Sequence, residues 1–195
     1  MHLKNGWYDI CIEEDNTYTI NSADNKKYDY TYNPNDLTNN SFVKIFSLTI
    51  NSNVQEIKVA IIGDFYSSSE DCAILVDNNL TVLQNDTILR IDASTGQLVC
   101  FKNIDTLGVN FSIYKVESGY IIYGEIEIIM LDFDFEVKWK FSARDIFVTL
   151  DNTKAFELCN DRIKLLDFEK NYYEIDFNGK LICDKKFLGR IYQHL

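Results

Sequence analysis

Histidine is almost absent from this chain, whose 195 residues include only His2 and His194. Both lie near the ends of the sequence, where segments tend to fray. The usual general base of a Ser-His or Cys-His nucleophile is therefore missing from the body of the chain, and so is the commonest zinc ligand. We expect neither a histidine-dependent hydrolase nor a metalloenzyme, and we assign no catalytic, metal-binding or cofactor-binding residue.

Basic residues are scarce relative to acidic ones. Nineteen Lys and Arg stand against 30 Asp and Glu, and the formal net charge is −11. Proteins that bind nucleic acids need Lys and Arg to neutralise phosphates and release counterions. The charge balance therefore argues against a nucleic-acid partner and permits the opposite relation, in which the partner is a protein with a basic surface.

Long apolar runs are missing as well. No segment approaches the roughly 20 apolar residues that span a bilayer, and the opening "MHLKNGWYDI" lacks a signal-like run. The five cysteines are odd in number, and no two of them form a C-x-x-C pair. We expect a cytoplasmic protein without membrane contact, in which four cysteines are reduced and largely buried: Cys72, Cys100, Cys159 and Cys183.

The residues that are abundant indicate strands. The chain has twelve Tyr and thirteen Phe but one Pro and eight Gly. Aromatic side chains pack well on a pleated surface, and few prolines mean few forced breaks. The composition predicts an all-β fold, with at most a turn or two of helix at 34–42 and at 187–195.

A repeat runs through the second part of the chain. Residues 80–92, 120–132 and 164–176 each contain two apolar stretches around a polar turn and end in Asp, at spacings of 40 and 44 residues. A further short apolar run precedes each segment, at 72–76, 111–116 and 154–158, and another follows it, at 97–102, 136–141 and 180–187. Each unit thus predicts four strands.

The turns after the third strand have related chemistry. Gly96 ends "DASTG", and Asn178-Gly179 is a strong hairpin signal. The middle turn, "DFDFE", has no Gly; it lacks the Gly and Glu positions of an EF-hand loop, so we interpret it as a solvated hairpin tip. If this turn matches the third in length, Leu98, Val137 and Leu181 align, as do Cys100, Trp139 and Cys183. We expect Asp92, Asp132 and Asp176 to accept backbone N–H bonds in equivalent turns.

Units of about 40 residues with four strands each are typical of β-propeller blades. The stretch "ILRIDASTGQLVCFK" (88–102) resembles the quinoprotein-type (PQQ-like) propeller repeat, in which an apolar strand, an Asp, a polar turn and a Gly precede a strand that carries a Trp. The resemblance covers about residues 72–187. Trp139 lies where the family has its Trp, whereas Cys100 and Cys183 depart from it. The resemblance implies a repeat geometry and nothing about a quinone.

We therefore predict one domain over 1–195, with an irregular N-terminal β region at 1–71 and three four-stranded units at 72–187. The favoured architecture is a small β-propeller-like array of antiparallel units, and an open β-meander or a two-sheet sandwich is the alternative. In the N-terminal region, residues 7–12, 17–20 and 28–32 predict strands, with Tyr28, Tyr30 and Tyr32 on one face. Residues 42–50 and 54–62 predict a hairpin.

For function, the sequence favours a non-enzymatic protein-binding domain. A small acidic β scaffold without catalytic residues suits an immunity or inhibitor protein that neutralises a basic toxin or nuclease. The alternative is a sugar- or peptide-binding sensor domain that uses aromatic side chains, and a hydrolase that uses carboxylates alone also stays open. The partner-binding residues that we predict are in two acidic loops and one tyrosine pair: Glu13, Glu14 and Asp15; Asp132, Asp134 and Glu136; Tyr172 and Tyr173.

Overall fold

A computed structural model of the chain describes residues 1–39, 42–64, 70–151 and 153–187. Within these ranges every regular element is a strand. The strands are β1 (His2–Lys4), β2 (Tyr8–Glu14), β3 (Tyr30–Tyr32), β4 (Val43–Ser52), β5 (Glu56–Asp64), β6 (Ala73–Val76), β7 (Asn79–Gln84), β8 (Thr87–Asp92), β9 (Leu98–Asn103), β10 (Asn110–Val116), β11 (Gly119–Gly124), β12 (Glu127–Leu131), β13 (Val137–Ser142), β14 (Phe156–Leu158), β15 (Ile163–Leu166), β16 (Tyr172–Ile175) and β17 (Leu181–Lys185).

The strands form four sheets. Sheets two, three and four are antiparallel meanders of four strands in chain order: β6 to β9, β10 to β13, and β14 to β17. The first sheet has the order β1-β2-β4-β5-β3, in which β3 lies parallel to β5 at the edge. The predicted all-β fold of four-stranded antiparallel units is confirmed.

Consecutive sheets pack face to face because successive side chains of a strand point to opposite sides. In β12, Ile129 and Leu131 pack against the second sheet, whereas Ile128 and Met130 pack against the fourth. The first and second sheets likewise share one cluster, which contains Leu48 of β4 and Val82 of β7. The sheets therefore stack in chain order, as the blades of a propeller do.

The two ends of the stack are closed in different ways. A separate apolar cluster covers the outer face of the first sheet, where Ile62 packs against residues of the 15–39 segment such as Tyr28. The outer face of the fourth sheet is charged. Glu174 and Cys183 are cross-strand neighbours on this face, and they occupy the positions that Met130 and Trp139 hold in the third sheet. A charged residue thus stands where the third sheet has an apolar one. A polar outer face is what a terminal unit of a repeat needs in water.

In the described part of the chain, no apolar cluster contains side chains of both the first and the fourth sheets. The four sheets therefore form an open stack over these residues rather than a ring held by a shared core.

The three turns after the third strand of each unit are equivalent, as predicted. The Oδ1 atoms of Asp92, Asp132 and Asp176 each accept backbone N–H bonds from residues further along the turn. The donors are Ser94 (2.7 Å); Asp134 (3.0 Å) and Glu136 (2.8 Å); and Asn178 and Lys180 (both 2.9 Å). The carboxylates hold the turns and have a structural role.

Phe135 occupies the turn position that glycine holds in the other two units. Its φ is 65°, against 74° at Gly96 and 76° at Gly179, and this left-handed region is unfavourable for a side chain with a Cβ. The Phe135 ring is 2% exposed and lies in the core between the second and third sheets, with the Arg90 guanidinium 4.5 Å from its centroid. Burial of the ring offsets the backbone strain.

Trp139 joins the third sheet to the fourth. Its Nε1 donates to the Phe177 carbonyl at 3.0 Å, and its indole lies so close to Gly179 that a Cβ there would be 2.6 Å from the ring. The aligned residue of the second sheet is Cys100, which cannot reach as far. Arg90, the cross-strand partner of Cys100, instead donates to the Phe133 carbonyl in the turn of the third sheet.

Three sequence predictions about strands and helical turns are wrong. Residues 17–20 form no strand, and the described residues of 34–42 form a turn rather than a helix. Tyr28 packs on the outer side of the first sheet, whereas Tyr30 and Tyr32 pack on its inner side, because Tyr28 precedes the strand and is not bound by its alternation. The second predicted helical turn, at 187–195, lies outside the described residues apart from Phe187.

The predicted hairpin of 42–50 and 54–62 is confirmed as β4 and β5. The register also confirms that Leu98, Val137 and Leu181 are equivalent, since each pairs with the last apolar residue of the preceding strand across a β-bulge.

We expect Trp139→Phe to lower the free energy of unfolding by about 1 kcal/mol, through loss of the indole hydrogen bond. We expect Trp139→Ala to lower it by about 3 kcal/mol, because the packing on Gly179 is lost as well. Urea unfolding measures both changes. The matched control is Trp7→Ala, at the other, exposed tryptophan, which should change stability by less than about 0.5 kcal/mol. Equal losses in all three variants would contradict this role of Trp139.

Candidate functional site

In each four-stranded sheet, the turn between the first and second strands and the turn between the third and fourth strands lie at the same end, because alternate turns of a meander do so. In the stack, these turns share one end. We call this end the turn face; its turns in sheets two to four are 77–78, 93–97, 117–118, 132–136, 159–162 and 176–180. The 53–55 turn of the first sheet also lies here, since Tyr8 Oη donates to Asn78 (3.1 Å) and Gln55 Nε2 donates to the Ser94 carbonyl (2.9 Å). The other end is the opposite face.

The structure places the two predicted acidic loops at opposite ends. Glu14 forms an ion pair with Lys44 at 3.0 Å, and the Lys44 carbonyl accepts a bond from Gln84 at the end of β7. Glu13 and Glu14 therefore belong to the opposite face, while Asp132, Asp134 and Glu136 belong to the turn face. No single flat partner surface contains both loops.

Asp15 is not a surface residue. It is buried, and its carboxylate accepts bonds from Thr17 Oγ1 (2.6 Å) and Tyr28 Oη (2.7 Å), with Lys26 Nζ at 3.4 Å. Burial alone would raise the pKa of this carboxyl, but these hydrogen bonds and the Lys26 charge outweigh it and lower the pKa to about 2. Asp15 fixes the segment that covers the first sheet.

The tyrosine pair is divided between two faces of one strand. Tyr173 is buried; its hydroxyl donates to Asp167 at 2.8 Å and accepts from Arg144 at 3.0 Å. Tyr172 lies on the charged outer face of the fourth sheet and donates to Glu174 at 2.6 Å. Burial and this carboxylate raise the pKa of Tyr172 to about 12. Tyr173 is thus unavailable as an exposed anchor, because adjacent residues of a strand point to opposite sides.

Within "DFDFE", two of the three carboxylates are paired. Asp132 lies 2.7 Å from Lys138, and Glu136 lies 2.6 Å from Lys102 of the second sheet. The Lys138 hydrogen bond and the turn N–H groups lower the pKa of Asp132. Asp134, at the tip, is exposed and has no Lys or Arg within ion-pair distance among the described residues.

The turn face carries further exposed acids that the sequence analysis did not identify. Asp77 follows β6 and Glu117 follows β10, and like Asp134 both are exposed. Over the ranges that the structure describes, none of the three forms an ion pair. The four-strand repeat could have indicated them, since it places every first turn of a unit at this end.

Two apolar side chains stand at the first-sheet edge of the same face. Trp7 is 71% exposed and Val54 is 91% exposed. Exposed apolar side chains occur elsewhere on the described surface too, as at Leu150, so Trp7 and Val54 matter because they lie together on the face that carries the unpaired carboxylates. Trp7 is one of the aromatic residues on which the sensor alternative depends, whereas Val54 could not be identified from the sequence, because a valine in a predicted turn carries no functional signal.

Among the described residues, no three His, Cys, Asp or Glu side chains are grouped so as to hold a metal ion, and His194 lies outside them. Cys72 is buried, and burial raises the pKa of its thiol to about 12. The described residues also contain no helix with the length and apolar character that crossing a bilayer would require.

The prediction that four cysteines are largely buried is wrong for Cys100. All five cysteines are unpaired; Cys72 is buried, Cys159 and Cys183 are partly exposed, and Cys100 is exposed. Cys100 lies on β9, the edge strand of the second sheet, which pairs with β8 on one side and with no other strand of the described residues.

No protein family model matches the chain, and no curated protein matches it. Solved structures share a similar arrangement at low identity. Hsv2 from Kluyvelomyces marxianus is 10% identical with a TM-score of 0.43, covering 71% of this chain and 46% of its own. BamB from Moraxella catarrhalis is 9% identical with a TM-score of 0.46, and the match covers 77% of this chain and 49% of BamB. A protein of unknown function from Bacteroides caccae is 12% identical with a TM-score of 0.40, and the match covers 74% of this chain and 63% of that protein.

This chain spans about half the length of Hsv2 and of BamB. Similarity at this level says nothing about function, and the description of the fold rests on the strand order, register and packing given above.

We expect Asp15→Asn to reduce stability at neutral pH by roughly 2 kcal/mol and to change its pH dependence. The pKa of Asp15 is lower in the folded state (about 2) than its usual value of 3.8, so its carboxylate stabilises the fold above pH 4 and loses this effect as the pH falls towards 2. Urea unfolding from pH 7 to pH 2.5 should show wild type and variant converging at the acidic end. Asp24→Asn, in the same segment but exposed, is the control; a constant difference at every pH would contradict the assignment.

Ellman titration without denaturant should label Cys100 first and Cys72 last, because one thiol is exposed and the other is buried with a raised pKa. Cys100→Ser should remove the fast phase. A fast phase that persists in this variant would show that another cysteine is the accessible one.

Proposed function

We propose that this chain is a non-enzymatic protein-binding domain that holds a basic protein against its turn face. The observation that carries the proposal is the set of exposed carboxylates without ion-pair partners on that face: Asp77, Glu117 and Asp134. They come from three turns of two sheets, so the face presents negative charge over an area rather than at one point. Fields of this kind raise association rates with oppositely charged partners.

The rigid scaffold supports the same function. Asp92, Asp132 and Asp176 fix the third turns through backbone bonds, and Trp139 and Arg90 fix each sheet on the next. Charged groups on a fixed backbone need little reordering on binding, which lowers the entropic cost of association.

The partner that fits best is a basic toxin enzyme, with this chain as its cytoplasmic immunity or inhibitor protein. A nuclease carries Lys and Arg in its cleft to bind phosphates, and an acidic face competes with nucleic acid for that cleft. The net charge of −11 adds long-range attraction to the local contacts.

A second candidate is a sugar- or peptide-binding sensor, favoured by the exposure of Trp7 on the same face. Aromatic rings that stand free of the core are common anchors in recognition sites.

We further propose that the three four-stranded sheets, sheets two to four, are of the quinoprotein repeat type. The contact of Trp139 with the turn of the fourth sheet supports this assignment. In the second sheet, where Cys100 stands at the Trp position, Arg90 makes the corresponding contact with the turn of the third sheet.

The test begins with affinity capture from the native host and uses three baits. They are the wild type, a turn-face variant (Asp77→Asn, Glu117→Gln, Asp134→Asn) and a control variant with the same charge change elsewhere (Glu13→Gln, Asp24→Asn, Glu169→Gln). We expect the wild type and the control to retain the same basic protein and the turn-face variant to lose it.

Stopped-flow association with the purified partner should slow at least tenfold between 50 and 500 mM salt, because salt screens the field of exposed charges. At 50 mM salt the turn-face variant should associate several-fold more slowly than the control variant. A captured partner that is acidic, that binds all three baits equally, or that associates at a salt-independent rate would contradict the proposal.

A further inference from the structure

Trp7 is held in its exposed position by a fixed loop. The Asn5 side-chain oxygen accepts bonds from the backbone N–H groups of Trp7 and Tyr8, both at 2.9 Å, and its amide nitrogen donates to the Asp77 carbonyl at 3.0 Å. The loop between β1 and β2 is thereby tied to the second sheet. The exposure of Trp7 is a property of the folded backbone and not of a loose tip.

A groove runs between Trp7 and the 53–55 turn. Its walls are Trp7, Tyr8, Ser52, Val54, Gln55 and Ser94, and its volume is about 480 Å³. This volume falls within the range of small-ligand pockets, so the groove can take one large side chain of a partner.

Three polar side chains of this groove already have partners, whereas the exposed Asn53 amide and the Trp7 indole N–H make no hydrogen bond to the described residues. Gln55 Nε2 donates to the Ser94 carbonyl at 2.9 Å, Ser52 Oγ donates to the Gln55 carbonyl at 3.0 Å, and Tyr8 Oη donates to Asn78 at 3.1 Å. A sugar would need several free donors and acceptors, because a hydroxyl that is buried without a hydrogen bond is costly. What the groove offers an incoming group is the apolar surface of Trp7 and Val54.

Negative charge borders the groove. Asp77 adjoins it through the Asn5 bridge and is exposed without an ion pair in the described structure. The Asp92 carboxylate accepts bonds from the Ser94 N–H at 2.7 Å and the Ser94 hydroxyl at 2.5 Å, and it also has no Lys or Arg within ion-pair distance among the described residues. An apolar side chain in the groove would bring its flanking residues beside these carboxylates.

We propose that the groove between Trp7 and Val54 is the anchor site for a basic protein segment, and that the segment has an apolar side chain next to Lys or Arg. The apolar side chain packs on the indole, and the cation lies against Asp77. This inference rests on the proposed function, because it specifies the chemistry of the partner that the turn face binds.

The probes are three capped peptides: Lys-Leu-Lys-Leu-Lys, Lys-Ser-Lys-Ser-Lys and Glu-Leu-Glu-Leu-Glu. Each is titrated into the full, ¹⁵N-labelled chain, and binding is followed at the indole N–H signals. Trp7 reports on the groove, and Trp139, whose indole N–H is bonded to Phe177, is the internal reference. We expect the Lys-Leu peptide to bind at least tenfold tighter than the Lys-Ser peptide and to shift the Trp7 signal alone, and we expect the Glu-Leu peptide not to bind.

Val54→Ser keeps the Trp7 reporter and should remove the tenfold preference for Leu over Ser. Leu150→Ser is the matched control: Leu150 is 83% exposed, away from the turn face, and this variant should keep the preference. Trp7→Ala, followed through the backbone signals of the 53–55 turn, should behave like Val54→Ser.

Equal binding of the Lys-Leu and Lys-Ser peptides would overturn the anchor site while leaving the acidic face of the proposed function intact. Failure of both peptides to bind would overturn the two proposals together. Binding of a neutral oligosaccharide such as maltohexaose at Trp7, with no displacement by the Lys-Leu peptide, would overturn the anchor site in favour of a sugar site.

Discussion

Two-sided burial of the second and third sheets is the constraint on which the rest of this structure depends. The central strands of these sheets, β7, β8, β11 and β12, carry buried apolar side chains on both faces, so each sheet needs a neighbour on either side. Ile128 and Ile129 show the consequence, since adjacent residues of β12 belong to different cores. The sheets must stack, and the ends of the stack must be made compatible with water by other means: the 15–39 segment on the first sheet and charged side chains on the fourth.

The turn face follows from that stacking. Once the sheets are aligned, their first and third turns fall at one end, and the carboxylates that close the turns fall there with them. Some of these carboxylates hold the fold together, as Asp132 and Asp176 do through two backbone bonds each. Others, such as Asp77 and Asp134, do not take part in any ion pair of the described residues, and these are the groups that the proposed partner would contact.

Several features were accessible to sequence analysis because they are local. The repeat of 40 to 44 residues, the turn aspartates and the equivalence of Cys100, Trp139 and Cys183 depend on alternation and turn chemistry within about fifteen residues. The candidate site was harder. Glu14 and Asp134 look alike in sequence, yet they lie at opposite ends, and Asp15 and Tyr173 are buried through contacts with Tyr28 and Asp167 that sequence spacing does not reveal.

The sequence by itself therefore determined the all-β class, the four-strand unit, the turn chemistry and the acidic charge, since each depends on composition or on short-range periodicity. Only the tertiary structure decided that the stack stays open over the described residues and that β3 adds in parallel to the edge of the first sheet. It also decided that Trp7 and Val54 line one groove and that Asn5 ties the Trp7 loop to Asp77. These features depend on which faces meet and at which end, and such contacts join residues that lie as many as about seventy positions apart in the chain.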